Sequence, residues 1–151
     1  MKKFLKRLVE RIYLSFDDNL VYYESTTRCK SRFYYDNIVC RRYESRECTV
    51  VFVDINGLKN INDTFGHSYG TQYIKNIADQ LKSLPNAHEV CRVGGDEFAL
   101  ICDKDFTEAK LKHIQGISYG VVHKRKQDSF HYIVQRADQE MYKMKRAMRN
   151  S

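Results

Sequence analysis

The sequence has no tryptophan, one proline and only seven glycines, with no internal repeat and no low-complexity tract. Fibrous and disordered classes are excluded on that composition, and 42% hydrophobic with 30% charged residues is ordinary globular usage. No apolar run approaches the roughly eighteen residues that a membrane-spanning helix needs. The basic start, MKKFLKRLVERIYL, is interrupted by Lys6, Arg7, Glu10 and Arg11, which removes the apolar stretch of a signal peptide. The five cysteines are odd in number and lack CxxC spacing, which argues against a zinc site or disulfide framework. A reducing, cytoplasmic setting is the expectation. A length of 151 residues makes about one domain, too little for a sensor and an enzyme side by side. Twenty-six Lys and Arg against nineteen Asp and Glu leave +7, which favours anionic partners such as nucleotides, nucleic acid or lipid. Because the basic residues are dispersed and no RNA-stacking motif is visible, no specific nucleic acid is expected.

Residues 1–23 form an N-terminal helix and linker, with Phe4, Leu5, Leu8, Val9, Ile12 and Phe16 on one face. Such a helix docks on its own domain or on a twin subunit; its basic face also suits weak contact with an anionic membrane surface. Residues 17–48 are polar and tyrosine-rich, and read as a loop followed by a helix around 31–42. TVVFVDI (49–55) is a β-branched run that suits a strand buried on both faces. After it come a short helix over 57–64, a GHSYG turn, and a longer helix over 71–84 stopped before Pro85. HEVCR and EFALIC flank a Gly94–Gly95 turn and read as a hairpin. A short helix over 105–114, the strand GISYGVV and a final helix over 129–149 complete an α+β domain: a central, mainly antiparallel sheet flanked by helices.

Asp54 ends the first strand, and Asp96 and Glu97 occupy the hairpin turn expected beside it. Carboxylates gathered at one sheet edge repel one another unless a divalent cation neutralises them. Mg²⁺ takes one or two carboxylates and fills its shell with water and substrate phosphates. Gly94 and Gly95 permit close backbone approach of a nucleotide. Alone, Gly-Gly-Asp also suits an ordinary turn with a solvated acid.

RVGGDEF (92–98), preceded by DINGLKNINDTFGH (54–67) and followed by ADQEMYKMKRAMRN (137–150), resembles the GGDEF family of diguanylate cyclases. ESTTRCKSRFYY (24–35) is a degraded likeness of that family's DPLTGLxNRxxF motif, so the resemblance spans residues 24–150. It implies a palm-like nucleotidyl-cyclase fold, a catalytic domain over 24–151, and Mg²⁺ or Mn²⁺, two per active site. Asp54, Asp96 and Glu97 match the catalytic and metal-binding acids, with the main chain of Ile55 as a further ligand. Asn62 matches a residue that contacts the guanine edge; Lys145 and Arg149 match the pair that grips the triphosphate. Lys59 and His67 match supporting positions in the nucleotide pocket, where Gly94 and Gly95 also belong; Asp63 reads as a local organiser. By themselves, Asn62 also suits a helix cap, and Lys145 and Arg149 suit solvated charges near a helix C-terminus.

Three departures stand out. Thr71 replaces the family's Asp after GHxxG, exchanging an obligate acceptor for a hydroxyl that donates or accepts, and so predicts relaxed base selectivity. Residues 85–88 (Pro, Asn, Ala, His) lack both charges of the family's RxxD product-inhibition motif, so feedback there is expected to be absent. About twenty residues separate Phe98 from Ser118, so the intervening helix must be truncated. The resemblance implies condensation of two GTP into cyclic di-GMP with release of pyrophosphate, in a homodimer formed at least transiently. An adenine-containing product, as in antiviral defence signalling, is the alternative. From another class, a degenerate nucleotide- or protein-binding module makes no product; retention of Asp54, Asp96, Glu97, Lys145 and Arg149 favours the enzyme.

Overall fold

The computed structural model describes residues 20–149, and the amphipathic helix expected over 2–16 lies outside them. After the helical residues 20–22, the next helical segment begins where Ser31 accepts the backbone N–H of Tyr34 at 3.1 Å. It runs as α1 (Arg32–Tyr34), a π-helical turn (Tyr35–Val39) and α2 (Cys40–Arg42). The π-helical turn brings Tyr35 onto the sheet, where its ring meets Phe52 edge-on.

Four antiparallel strands follow: β1 (Cys48–Ile55), β2 (Ala87–Arg92), β3 (Glu97–Cys102) and β4 (Ile117–Lys124). Their order is β2-β3-β1-β4, so the most apolar strand is central. Residues alternate faces along β1. Val51, Val53 and Ile55 face a core shared with Ile77, Leu81, Phe98 and Leu100. Val50 and Phe52 face the other core, with Val39, Ile101, Ile133 and Ala137. The two-sided burial expected of TVVFVDI is what forms, as are the hairpin and the α+β architecture.

Helix α4 (His67–Lys82) covers the first face, α3 (Leu58–Phe65) packs beside α4 and touches that core only through Leu58, and α5 (Phe130–Arg149) covers the second face. Gly66, at φ +85, breaks the chain between α3 and α4 in a conformation that L side chains resist. Here the structure corrects the sequence reading: GHSYG is no turn but the opening of α4, which starts at His67. The short helix expected over 105–114 is also absent. Only the 3₁₀ turn Glu108–Lys110 forms, because Phe106, Leu111 and Ile114 are drawn individually into the core. Buried Lys124, at the end of edge strand β4, donates to the carbonyls of Glu44 (2.7 Å), Arg125 (3.1 Å) and Arg46 (3.2 Å). That replaces its lost hydration and pins the 43–47 turn to the sheet. All five cysteines are free thiols.

Helix α5 lies close on β4 because Gly120 has no side chain. A Cβ there would overlap the carbonyl oxygen of Ala137 and lie 2.5 Å from the backbone nitrogen of Met141. Both obstacles are main chain and cannot rotate away. Gly120→Ala is therefore expected to destabilise the fold by about 3 kcal/mol, the upper part of the overpacking range. A denaturant titration reads this as a lowered midpoint at unchanged slope.

Candidate active site

Apolar β1 carries one carboxylate near its C-terminal end. Asp54 is only 4% exposed, and its Oδ1 accepts a 2.6 Å hydrogen bond from Lys145 Nζ on α5. Lys145 reaches it because Gly120 lets the helix lie close. Across the sheet, Asp54 is in direct register with Glu97, so both side chains leave on the same face. The backbone N–H of Ile55 donates to the carbonyl of Asp96 at 2.9 Å, which ties the 93–96 loop to the end of β1.

These acids feel one another. Burial pushes the Asp54 carboxyl up; Lys145 pulls it back through its hydrogen bond and charge, while Asp96 adds to the rise, and the net shift is upward. Glu97 is raised as well, by burial first and then by Asp96 and Asp54. Its side chain folds over Gly94, where a Cβ would lie 2.5 Å from Glu97 Oε2. Gly95 faces open space.

Two adjoining clefts open beside this cluster. One, of about 550 Å³, is lined by Ile55, Lys59, Asp96, Lys145 and Arg149 among others. The other, of about 340 Å³, is lined by Lys59, Asn62, His67, Gly95 and Asp96 together with Leu58 and Asp63. Leu58, Lys59 and Asp96 belong to both, so they stand at the divide. The first cleft is rimmed by cations and the second by the amide and imidazole. Asp54, Glu97, Gly94 and Thr71 line neither. Asp54 and Glu97 sit in the layer beneath, and Thr71 is half-buried in α4.

Among the described residues no group of three or more His, Cys, Asp or Glu is arranged to hold a metal ion alone. The donors are nevertheless of the kind a hard dication takes, carboxylate and main-chain oxygen, and in this structure the ammonium of Lys145 occupies Asp54 Oδ1 as the neutralising cation.

Sequence reasoning assigned no role to the supports of the loop. Arg92 donates to the Gly95 carbonyl at 2.7 Å and to Glu24 Oε1 at 2.9 Å. Arg32 donates to the Val93 carbonyl at 3.1 Å. Glu24 in turn accepts the backbone N–H of Thr26 and both the N–H and hydroxyl of Thr27. The signal for this pair was an acid opening one motif and an arginine opening the other. In the altered product-inhibition stretch, His88 instead pairs with Asp103 at 2.5 Å.

The family model described as diguanylate cyclase, GGDEF domain, matches residues 25–116. The chain belongs to the GGDEF family. It is 30% identical to the diguanylate cyclase VdcA of Vibrio cholerae, over 72% of this chain and 39% of that protein. It is also 30% identical to an uncharacterized membrane protein of Staphylococcus aureus, over 58% of this chain and 24% of that protein. The chain thus spans well under half of these curated relatives. Among solved structures, the coiled coil and GGDEF domain of DgcB from Caulobacter crescentus, in complex with c-di-GMP, superposes with a TM-score of 0.81. That match has 22% identity and covers 97% of this chain and 91% of that one. Diguanylate cyclase SiaD from Pseudomonas aeruginosa, in complex with its activator SiaC, gives 0.76 at 19% identity, covering 97% of this chain and 66% of that one. The fold is therefore the GGDEF fold. No helix among the described residues is long and apolar enough to cross a membrane.

The Glu24 network carries a pH signature. Burial would raise its carboxyl, but the hydrogen bonds from Thr27 and Thr26 outweigh burial and hold it at about 2, against an ordinary 4.5. A depressed folded value means stability that is complete above the unfolded value and lost as pH falls through the folded one. Glu24→Gln should cost about 2 kcal/mol at neutral pH, for a hydrogen-bonded charged group. The gap from wild type should narrow between pH 4.5 and about 2 in denaturant titrations, whereas a gap independent of pH would contradict the assignment.

Proposed function

We propose that this GGDEF domain, over residues 24–151, is a catalytically competent half-site that condenses two nucleoside triphosphates into a cyclic dinucleotide, cyclic di-GMP from two GTP. The observation that carries this reading is the buried Asp54–Lys145 pair beneath the cation-rimmed cleft, with Asp96 at the divide.

In this reading the triphosphate lies in the larger cleft, gripped by Lys145 and Arg149 at i and i+4 on α5, with Lys59 opposite. The base lies in the smaller cleft beside Asn62 and His67, and exposed Gly95 leaves room for the sugar. Asp54, Asp96, Glu97 and the Ile55 main chain would hold Mg²⁺ or Mn²⁺, which supplies Lewis-acid stabilisation of charge on the phosphate oxygens. Each nucleotide's 3′-oxygen forms a bond to the α-phosphorus of the other, and the bond from that phosphorus to pyrophosphate breaks. Two such steps close the ring and release two pyrophosphates. In this reading Glu97 accepts the proton that leaves the 3′-hydroxyl. Since each domain holds one nucleotide, two copies must meet, at least transiently.

A second reading concerns only the base. Thr71 supplies no carboxylate to the guanine N1–H and amino group, so ATP is discriminated against less than in relatives with Asp there.

Incubating the protein with each nucleoside triphosphate and all mixtures, with Mg²⁺ or Mn²⁺, and identifying products by mass tests both readings. GTP alone should yield cyclic di-GMP, and Asp54→Ala should lower turnover at least about 10³-fold with the fold retained. No product from any mixture, with nucleotide binding intact, would establish the binding module instead. Thr71→Asp should raise the preference for GTP over ATP by about 10- to 100-fold, the worth of one charge-assisted hydrogen bond. An unchanged ratio would remove Thr71 from base selection.

A further inference from the structure

Gly70 sits inside α4, four residues beyond the break at Gly66, and is buried. Its backbone is not left-handed, so conformation does not require glycine there. Within a helix, glycine costs about 1 kcal/mol relative to alanine. What its missing side chain accommodates is Asn62. An ideal Cβ on Gly70 would overlap Asn62 Oδ1, and would lie 2.9 Å from Cγ and 3.5 Å from Nδ2. The carboxamide of Asn62 thus rests on the bare Cα of Gly70, across the junction between α3 and α4.

Nothing else holds that carboxamide. Asn62 lies within α3 and its backbone carbonyl accepts the N–H of Gly66 at 2.9 Å, but no hydrogen bond of its side chain appears among the described residues. The helix-cap role open to it from sequence is therefore unfilled. A half-buried amide with unspent donors and acceptor, lining a cleft, is poised for an external partner.

We propose that Gly70 is a positioning residue for base recognition, its bare Cα fixing the Asn62 carboxamide toward the smaller cleft. This rests on the reading of that cleft as the base end of a nucleotide site. Thr71 follows directly in the chain and brings no carboxylate to share the task. Selection of the base then leans on one amide, and the direction of that amide on one absent methyl group. Placing the seat on helix backbone rather than on a second side chain keeps its position fixed by main-chain hydrogen bonds, including Gly70 N–H to the Gly66 carbonyl at 3.2 Å.

The test uses the full chain with Mg²⁺ and two probes: GTP with an α,β-methylene bridge, which cannot release pyrophosphate, and inorganic tripolyphosphate, which engages only the phosphate end. Gly70→Ala should weaken binding of the GTP analogue about tenfold, one hydrogen bond's worth, and change tripolyphosphate binding less than about twofold. Asn62→Ala should show the same pattern, and the double variant should bind no more weakly than Asn62→Ala alone. Additive losses, or wild-type binding by Gly70→Ala when Asn62→Ala is impaired, overturn the seat while leaving the cleft assignment standing. Wild-type binding by Asn62→Ala overturns both. If Gly70→Ala fails to fold, the double variant decides: refolding on removal of the Asn62 amide supports the contact, and continued failure shows a helix-packing role that overturns it.

Discussion

A carboxylate buried at the end of the central strand is the constraint on which the site depends. Asp54 cannot be left alone in an apolar sheet, because an ionised group there loses its hydration without compensation. Lys145 provides that compensation from the far end of the chain, 91 residues away, and it can do so only if α5 lies almost in contact with β4. Gly120 permits that approach, and the register of β1 with β3 brings Glu97 onto the same face. The acids, the basic rim and the packing of the last helix are thus one arrangement seen from three sides. A change in any of them alters the electrostatics of the others.

The loop between β2 and β3 is organised by a second, independent set of contacts. Arg92, Arg32 and the Ile55 N–H each hold one of its carbonyls. Glu24 anchors Arg92 from the segment preceding α1, so the chain that leads into the domain is wired to the loop carrying Asp96. A rigid loop matters because hydrogen-bond donors and charges contribute most to catalysis when they need not reorganise. The exposed face of Gly95 and the folded-back Glu97 over Gly94 show two uses of adjacent glycines: open space outward, and space inward for a side chain.

Much of this was legible in sequence. TVVFVDI, HEVCR, EFALIC and GISYGVV announced their strands through β-branched and apolar runs, and the motif order announced the family. The helix start at His67 was hidden because two glycines within five residues look like a turn. One of them, Gly66, does break the chain, whereas Gly70 lies inside the helix, where a Cβ would overlap Asn62 Oδ1 of the preceding helix. The short connection over 105–114 has helix-forming residues and apolar side chains at 106, 111 and 114 whose spacing is compatible with one helical face, yet only a single 3₁₀ turn forms there. Core burial of those three side chains therefore overrides local propensity. Long-range partnerships, such as Asp54 with Lys145 or Lys124 with the carbonyls of Glu44 and Arg46, leave no local pattern to read. Lys145 was singled out by its motif, and its pairing with Asp54 was not.

The strand order β2-β3-β1-β4 also bears on how the chain is made. β1 is central but is synthesised before both of its neighbours, and its outer partner β4 and the covering helix α5 arrive last. Until α5 has left the ribosome, β1 has one face uncovered and Asp54 has no ammonium beside it. Contacts of such long sequence separation form slowly and leave a nascent chain exposed to aggregation. The order of the strands therefore makes biogenesis, as much as chemistry, hinge on the last twenty-residue helix of the sheet's cover.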